Sequence, residues 1–486
     1  MDALTLHNPP RMTQDTLVSG VQLCYTGCQV LICKMESVNA SLIRDVDHQD
    51  ELFLSAFSIL RNAIAEHVFP AASIAVTHQG RLIALKAFGK FVYETDRLIE
   101  LSSRWGAPVL ADSVRAGNSE LPVAPPLSRS SQQGADFDVR ESTLFDLASL
   151  TKVVATTTTA AILYQRGLVE LDAPVSRTVP EFLADSSHAR DPRRGDVTFR
   201  MLLAHSSGLP AYEKLFLRCY SRDELLHAAF TTPLTADPGA RAEYSDIGFI
   251  LLGAALERIA EETLDHFCQC EIFGNLGMTR TRFNPPAALR EEIPPTADER
   301  SCDADPLVRA KQNSHPHPGG NPGGCPTLRD SRSVGTLSVS TFRNRIIQGK
   351  VQDENAFVLG GVAGHAGLFA TAQDLSLFAH TMLSKSNPIL RPETLALFTR
   401  RQSSPPNTSR ALGWDTPSTP SQSGKYFGPH SFGHLGYTGT SLWIDPDRQL
   451  SITLLTNRTW PDCSNQAIKQ VRPRFHDAVI EALEAH

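Results

Sequence analysis

Ser149 and Lys152 stand three residues apart at the head of a long apolar run that closes at Gly167. A helix begun at Ser149 puts both side chains on one face, within reach of each other. A serine hydroxyl is a poor nucleophile at neutral pH, and a partly desolvated lysine can act as the base it needs. The free N–H groups and positive dipole end of such a helix suit a developing oxyanion. The spacing is common, and a helix-capping serine beside an exposed lysine reads equally well from the pair alone. Two further stretches follow in order. Tyr244-Ser245-Asp246 sits on a turn ahead of a helix, and His434-Leu435-Gly436 sits just before or at the start of a strand. On its own Tyr244 also reads as a core residue with a satisfied hydroxyl.

The elements that must position these residues are readable from periodicity. Apolar residues recur at helical spacing from Gln49 to Val68, and Phe69-Pro70 ends that helix. Ala72 to Thr77 and Leu82 to Phe88 form a hairpin about the turn 78–81. The residues after Ser149 are rich in β-branched side chains, which favour strand. The run is too long for a strand, and Arg166-Gly167 reads as a helix C-terminus, so a buried helix is expected. Further helices are expected at 199–205, 223–230, 247–260, 372–383, 392–400 and 474–485. His205, ahead of Ser206-Ser207-Gly208, reads as a turn-stabilising residue. Thr440 to Ile444 and Leu450 to Thr456 make a second hairpin about 445–448. The order is helix, hairpin, a mostly helical middle, hairpin, helix. It predicts an α+β fold: an antiparallel sheet built from both chain ends, helices packed on it, and a helical lobe inserted between. Residues 1–48 lack clean periodicity and are set apart as an N-terminal appendage. Residues 49–486 are taken as one domain, with polar, irregular surface insertions near 96–138 and 301–339.

Composition bounds the function. The chain has 486 residues and a net charge of -6, with no electrostatic footprint for nucleic acid. Its nine cysteines are scattered, with no paired Cys-x-x-Cys motifs, so neither a zinc site nor a disulfide framework is read. No metal and no organic cofactor is implied. The first residues lack a signal-peptide pattern, and the segment 17–35 is interrupted by polar residues. As written, the chain looks cytoplasmic and without a membrane span; a mis-assigned start would leave a periplasmic or extracellular location open.

In order along the chain, Phe145-Asp-Leu-Ala-Ser-Leu-Thr-Lys152, Leu202-Leu-Ala-His-Ser-Ser-Gly-Leu-Pro210, Tyr244-Ser-Asp-Ile-Gly-Phe-Ile-Leu-Leu-Gly253, Gly360-Gly-Val-Ala-Gly-His-Ala-Gly-Leu368 and Gly433-His-Leu-Gly-Tyr-Thr-Gly-Thr440 resemble the serine β-lactamases of class C type. The same resemblance extends to penicillin-binding proteins, D,D-peptidases, D-aminopeptidases and esterases, and covers roughly residues 50–485 outside the insertions. It implies Ser149 as the nucleophile that forms an acyl-enzyme, Lys152 as its base or the holder of that base, and Tyr244 as the proton shuttle. It further implies Asp246, His434, Gly436 and Tyr437 as substrate-binding residues, with the backbone N–H groups of Ser149 and Tyr437 as the oxyanion hole. His434 is preferred over His365 for the third motif, because a helix follows His365 and a strand hairpin follows His434.

Two departures from the family pattern matter. Asp246 replaces the usual Asn, offers only acceptors when ionised, and would raise the pKa of Lys152 on contact. His434 replaces the usual Lys, so a positive charge there depends on pH. The expected function is therefore a serine hydrolase cleaving an ester or amide of a small-molecule or peptide substrate: a β-lactam, a D-peptide or a small ester. The alternative is a non-catalytic or slowly acylating penicillin-binding or regulatory protein of the same fold.

Overall fold

A computed structural model describes residues 42–93, 138–183, 191–300 and 342–486, together with the backbone of strands β1 (Val21–Thr26) and β2 (Gln29–Lys34), which pair antiparallel. The expected insertions near 96–138 and 301–339 lie almost wholly outside the described residues. The next elements are β3 (Ile43–Arg44), α1 (Leu54–Ala65), β4 (Ala71–His78), β5 (Arg81–Gly89) and β6 (Phe145–Asp146). The middle of the chain supplies α2 (Thr158–Gln165), α3 (Phe199–Leu203), α4 (Arg222–Phe230), α5 (Asp246–Ala260), β7 (Arg282–Phe283) and β8 (Ala297–Asp298). It continues through β9 (Ile346–Ile347), β10 (Leu368–Ala370), α6 (Ala372–Leu383) and α7 (Pro392–Thr399). The chain closes with β11 (Phe432–Leu435), β12 (Ser441–Asp445), β13 (Leu450–Thr456) and α8 (Ile468–Glu484).

Both chain ends build one sheet, in the order β11-β12-β13-β4-β5-β3. Every neighbouring pair is antiparallel except β3 with β5. The β4–β5 turn has positive φ at Gln79 and Gly80, the geometry whose twist matches the flanking strands. The strands alternate between two cores. Ile74, Val76, Ile452 and Leu454 face α1 and α8, where Phe57, Leu60, Phe475 and Val479 are buried. Ala75, Leu85, Leu442 and Leu455 face the other way, onto α6 and the helical lobe. Each buried Leu, Ile, Val or Phe among these contributes about 1.5–3 kcal/mol, so the sheet is fixed from both faces.

The expected buried helix after Ser149 is present, with a difference at its start. Residues Lys152–Thr157 wind as a π-helix before α2 takes the ordinary form. Thr158 Oγ1 donates to the carbonyl of Val153, five residues back, at 2.8 Å, which supports the wider turn. The last helix begins at Ile468, not near 474 as the periodicity suggested, and carries Pro473 inside it. Proline cannot donate to the carbonyl four residues earlier. That carbonyl, of Lys469, accepts instead from Gln422 Nε2 at 3.1 Å, so the helix runs through the proline.

Candidate active site

The turn that carries Ser149 is held from three sides. β6 ends at Asp146, whose Oδ1 accepts from Ala148 N at 2.8 Å and whose Oδ2 accepts from Gln352 N at 2.6 Å. Burial pushes this carboxyl up to about 6, against the two backbone N–H bonds that favour its ionised form. Thr438 Oγ1 donates to Asp146 O at 2.7 Å, and Thr440 Oγ1 donates to Leu147 O at 2.9 Å. The β11–β12 turn is thereby stitched to the residues just before Ser149. Gly436 is required by that stitch: a Cβ there would lie 1.9 Å from Thr440 Oγ1 and 2.4 Å from Leu147 O. Ala148, immediately before Ser149, has φ +46, a conformation costly for a residue with a Cβ. His434 lies within the edge strand β11, near its end and not just before or at its start.

Lys152 is fully buried beneath the cleft. Its Nζ donates to Ser149 Oγ at 3.0 Å and to His365 O at 3.0 Å, and pairs with Asp246 Oδ1 at 2.7 Å. Asp246 is placed by the start of α5. Ser245 caps that helix, accepting from Gly248 N at 3.0 Å and donating to Pro210 O at 2.7 Å. Tyr244, just before the cap, donates from Oη to Ser149 Oγ at 2.8 Å. Ser245 N donates to His205 Nδ1 at 3.0 Å, and the His205 ring lies 4.6 Å from that of Tyr244. His205, read from sequence as a turn residue, thus backs Tyr244.

The charges follow from these contacts. Burial pulls the Lys152 ammonium down, but Asp246 and Tyr244 outweigh it and the lysine is raised above its ordinary value. Burial raises the Tyr244 phenol, with Asp246 adding to the rise and Lys152 opposing it. At neutral pH the resting pair is ammonium and phenol, both donating to Ser149 Oγ. His434 is buried, and its Nδ1 donates to Leu435 O at 2.8 Å. Burial, then Lys152 and Arg410, push it down to about 3. It is a neutral imidazole whose Nε2 has no partner among the described residues.

A cleft of about 660 Å³ opens over these groups, lined by Ser149, Tyr244, Asp246, His434, Gly436 and Tyr437 among others. All the site residues expected from the sequence therefore meet at one place, with Lys152 underneath. The sequence missed three contributors, His365, Asp353 and Arg410. His365, set aside as a motif, supplies the carbonyl that Lys152 holds, and its Nε2 meets Asp353 Oδ1 at 2.8 Å. The glycine-rich stretch before it was the available signal: a Cβ on Gly364 would lie 2.1 Å from Phe249 O in α5. Arg410 comes from a loop whose shape no local pattern revealed.

The chain matches the beta-lactamase family over residues 56–471. It belongs to the beta-lactamase family. It is 32% identical over 334 residues to a putative D-alanyl-D-alanine carboxypeptidase of Escherichia coli (strain K12), covering 65% of this chain and 69% of that protein. It is likewise 32% identical over 338 residues to an N-acetylmuramyl-L-alanine amidase of Bacillus subtilis (strain 168), covering 66% and 69%. Among solved structures, EstCE1, a hydrolase with promiscuous acyltransferase activity, aligns at a TM-score of 0.59 with 19% identity, over 89% of this chain and 99% of that one. That last likeness carries the fold alone. As a beta-lactamase family member with such relatives, the protein is a serine hydrolase. No helix among the described residues is long and apolar enough to cross a membrane.

Proposed function

We propose that this hydrolase cleaves an amide or ester of a D-peptide or muramyl-peptide substrate through an acyl-enzyme on Ser149. The observation that carries the reading is the pair of contacts on Ser149 Oγ, from Lys152 Nζ at 3.0 Å and Tyr244 Oη at 2.8 Å, at the wall of the cleft. Ser149 Oγ attacks the substrate carbonyl carbon, and its proton passes into the Tyr244–Lys152 pair once that pair has lost one proton to solvent. The tetrahedral oxyanion faces the backbone N–H groups of Ser149 and Tyr437, which donate to no acceptor among the described residues. Tyr244 returns the proton to the leaving group, the C–N or C–O bond breaks, and water repeats the sequence on the acyl-enzyme. The muramyl amidase and carboxypeptidase relatives support an amide of a cell-wall peptide over a β-lactam, and the Lys152–Asp246 pair points away from fast β-lactam turnover.

The test is hydrolysis of N-acetyl-D-alanyl-D-alanine, a short p-nitrophenyl ester and a chromogenic cephalosporin, wild type beside Ser149→Ala. Activity present in the first and lost in the second is expected. Full activity in Ser149→Ala rules out this nucleophile. The Lys152–Asp246 contact also favours a second reading, a slowly acylating binding protein; intact-mass measurement after β-lactam exposure separates it, by a stable adduct without turnover.

A further inference from the structure

Away from the cleft, three residues form a second line of reactive groups. Glu262, His266 and Cys270 stand four residues apart. Glu262 lies just ahead of the helix Leu264–Cys268, and Cys270 lies on the π-helical turn Gln269–Phe273 that continues it. None of the three lines the cleft. His266 Nδ1 bonds to Glu262 Oε2, and His266 Nε2 is 3.8 Å from Cys270 Sγ, within reach of a thiol donor. An ionised carboxylate only accepts, so the hydrogen of that first bond sits on Nδ1. In the neutral ring Nε2 is then the acceptor, facing the thiol. Nucleophile, base and the group that orients the base are therefore in contact, the arrangement that activates a cysteine.

No other described cysteine is hydrogen-bonded to a histidine. Cys268 is fully buried against Thr159 Oγ1, and burial pushes its thiol up to about 12. Cys219 is buried as well, and burial raises it. Cys463 is exposed, beside Tyr437. Cys270 is half-buried, and the His266 side chain is 42% exposed, so a small reagent can reach the sulfur. The neighbouring charges leave the relay intact. Arg166, at the end of α2, is matched to Glu271 at 2.5 Å, and Asp265 adds a further negative charge on the helix. An imidazolium formed at His266 would thus lie between the Glu262 carboxylate and the new thiolate, held by both.

We propose that Cys270 is a thiol activated by His266 and Glu262, and the site at which this protein is reversibly thiolated by low-molecular-weight disulfides. His266 Nε2 takes the Cys270 proton. The thiolate attacks one sulfur of the disulfide, a new S–S bond forms as the old one breaks, and the other half leaves as a thiolate that recovers the proton from His266. The disulfide is the oxidant, so no other reagent is needed. A free thiol reverses the step by the same exchange. This site is independent of the hydrolase reading.

The experiment exposes the reduced full-length protein to oxidised glutathione at pH 7, quenches with acid at intervals, and follows each cysteine by peptide mass spectrometry. Cys270 is expected to form the mixed disulfide about tenfold or more faster than Cys463, with Cys219 and Cys268 unreacted over the same time. His266→Ala and Glu262→Gln each slow Cys270 about tenfold or more and leave Cys463 unchanged. In His266→Ala the rate at Cys270 climbs with pH through 8, as for an ordinary thiol, whereas in the unaltered protein it has levelled off below pH 8. Dithiothreitol removes the adduct. Cys270 reacting no faster than Cys463 overturns the proposal, and so does a Cys270 rate that neither substitution lowers. Unreacted Cys268 reports that the helix is still packed; if His266→Ala exposes it, Glu262→Gln decides alone, since that change keeps shape and removes only the charge.

Discussion

Asp246 governs which protons the site holds. Its Oδ1 is 2.7 Å from Lys152 Nζ, and its charge raises both the lysine and the Tyr244 phenol. In the proposed mechanism attack by Ser149 needs one proton removed from that pair, so kcat/KM should rise with pH through neutrality and still be rising at pH 8. Replacing the carboxylate by an amide removes a negative charge beside an ammonium, which favours the neutral amine. Asp246→Asn is therefore expected to move the limb of the pH–rate profile down by about 1–2 units, and to raise the rate at pH 7 about tenfold or more if binding is unaffected. An unmoved limb would show that the Lys152–Tyr244 pair does not limit the rate. The residue scale was also the most legible. Ser149, Lys152, Tyr244, Asp246, His434, Gly436 and Tyr437 each lie in a short motif whose spacing is visible along the chain. Arg410, His365 and Asp353 were not readable as partners, because their positions depend on loops meeting across large sequence separations. The neutrality of His434 is likewise a product of burial, then of Lys152 and Arg410, none of which is written in its neighbours.

At the scale of elements, the site is set by close approach. Gly253 in α5 abuts Gly364: a Cβ added to Gly253 would lie 2.8 Å from Gly364 Cα. That contact lets the next residue's carbonyl, of His365, reach Lys152 Nζ at 3.0 Å. Gly364→Ala forces a methyl to within 2.1 Å of Phe249 O, and both are backbone-anchored. Overpacking of this kind costs about 1–3 kcal/mol, measurable by urea unfolding. Kinetics should fall further than stability alone explains, with kcat down about tenfold under conditions where the protein is fully folded, because a displaced carbonyl leaves one ammonium proton unheld. Gly195→Ala, where a Cβ meets nothing within 4 Å, is the control. A Gly364→Ala protein with unchanged kcat would mean that the carbonyl contact does not matter to the chemistry. Element positions came readily from periodicity, and β13 and α6 begin and end where the pattern placed them. The start of α8 did not, because Pro473 looks like a boundary until Gln422 is seen to satisfy the freed carbonyl.

The whole molecule joins chain ends far apart in sequence, and the architecture read from the order of hairpins and helices, one sheet with an inserted lobe, is the one observed. What sequence could not say is how the polar stretches attach to it. The described residues on either side of each stretch are already paired. Lys90 bridges Asp138 antiparallel, and Val139 N donates to Gly89 O at 3.2 Å. Farther on, β8 pairs with β9, Glu299 N donates to Arg345 O at 3.0 Å, and Arg343 forms a buried ion pair with Glu299. A segment whose ends are held together by the core can be shortened without moving them, and a shorter loop has less closure entropy to lose. Replacing 94–137, or 301–341, by a short Gly-Ser linker should therefore leave the protein folded, with an unfolding free energy unchanged or raised by about 1–2 kcal/mol. Ser149-dependent ester hydrolysis should stay within about threefold of wild type, since the described residues that line the cleft all lie outside both segments. Soluble, folded variants that lose hydrolysis would assign the excised segment to the active site; insoluble ones would make it part of the fold. Either result would overturn the view that these stretches are surface insertions.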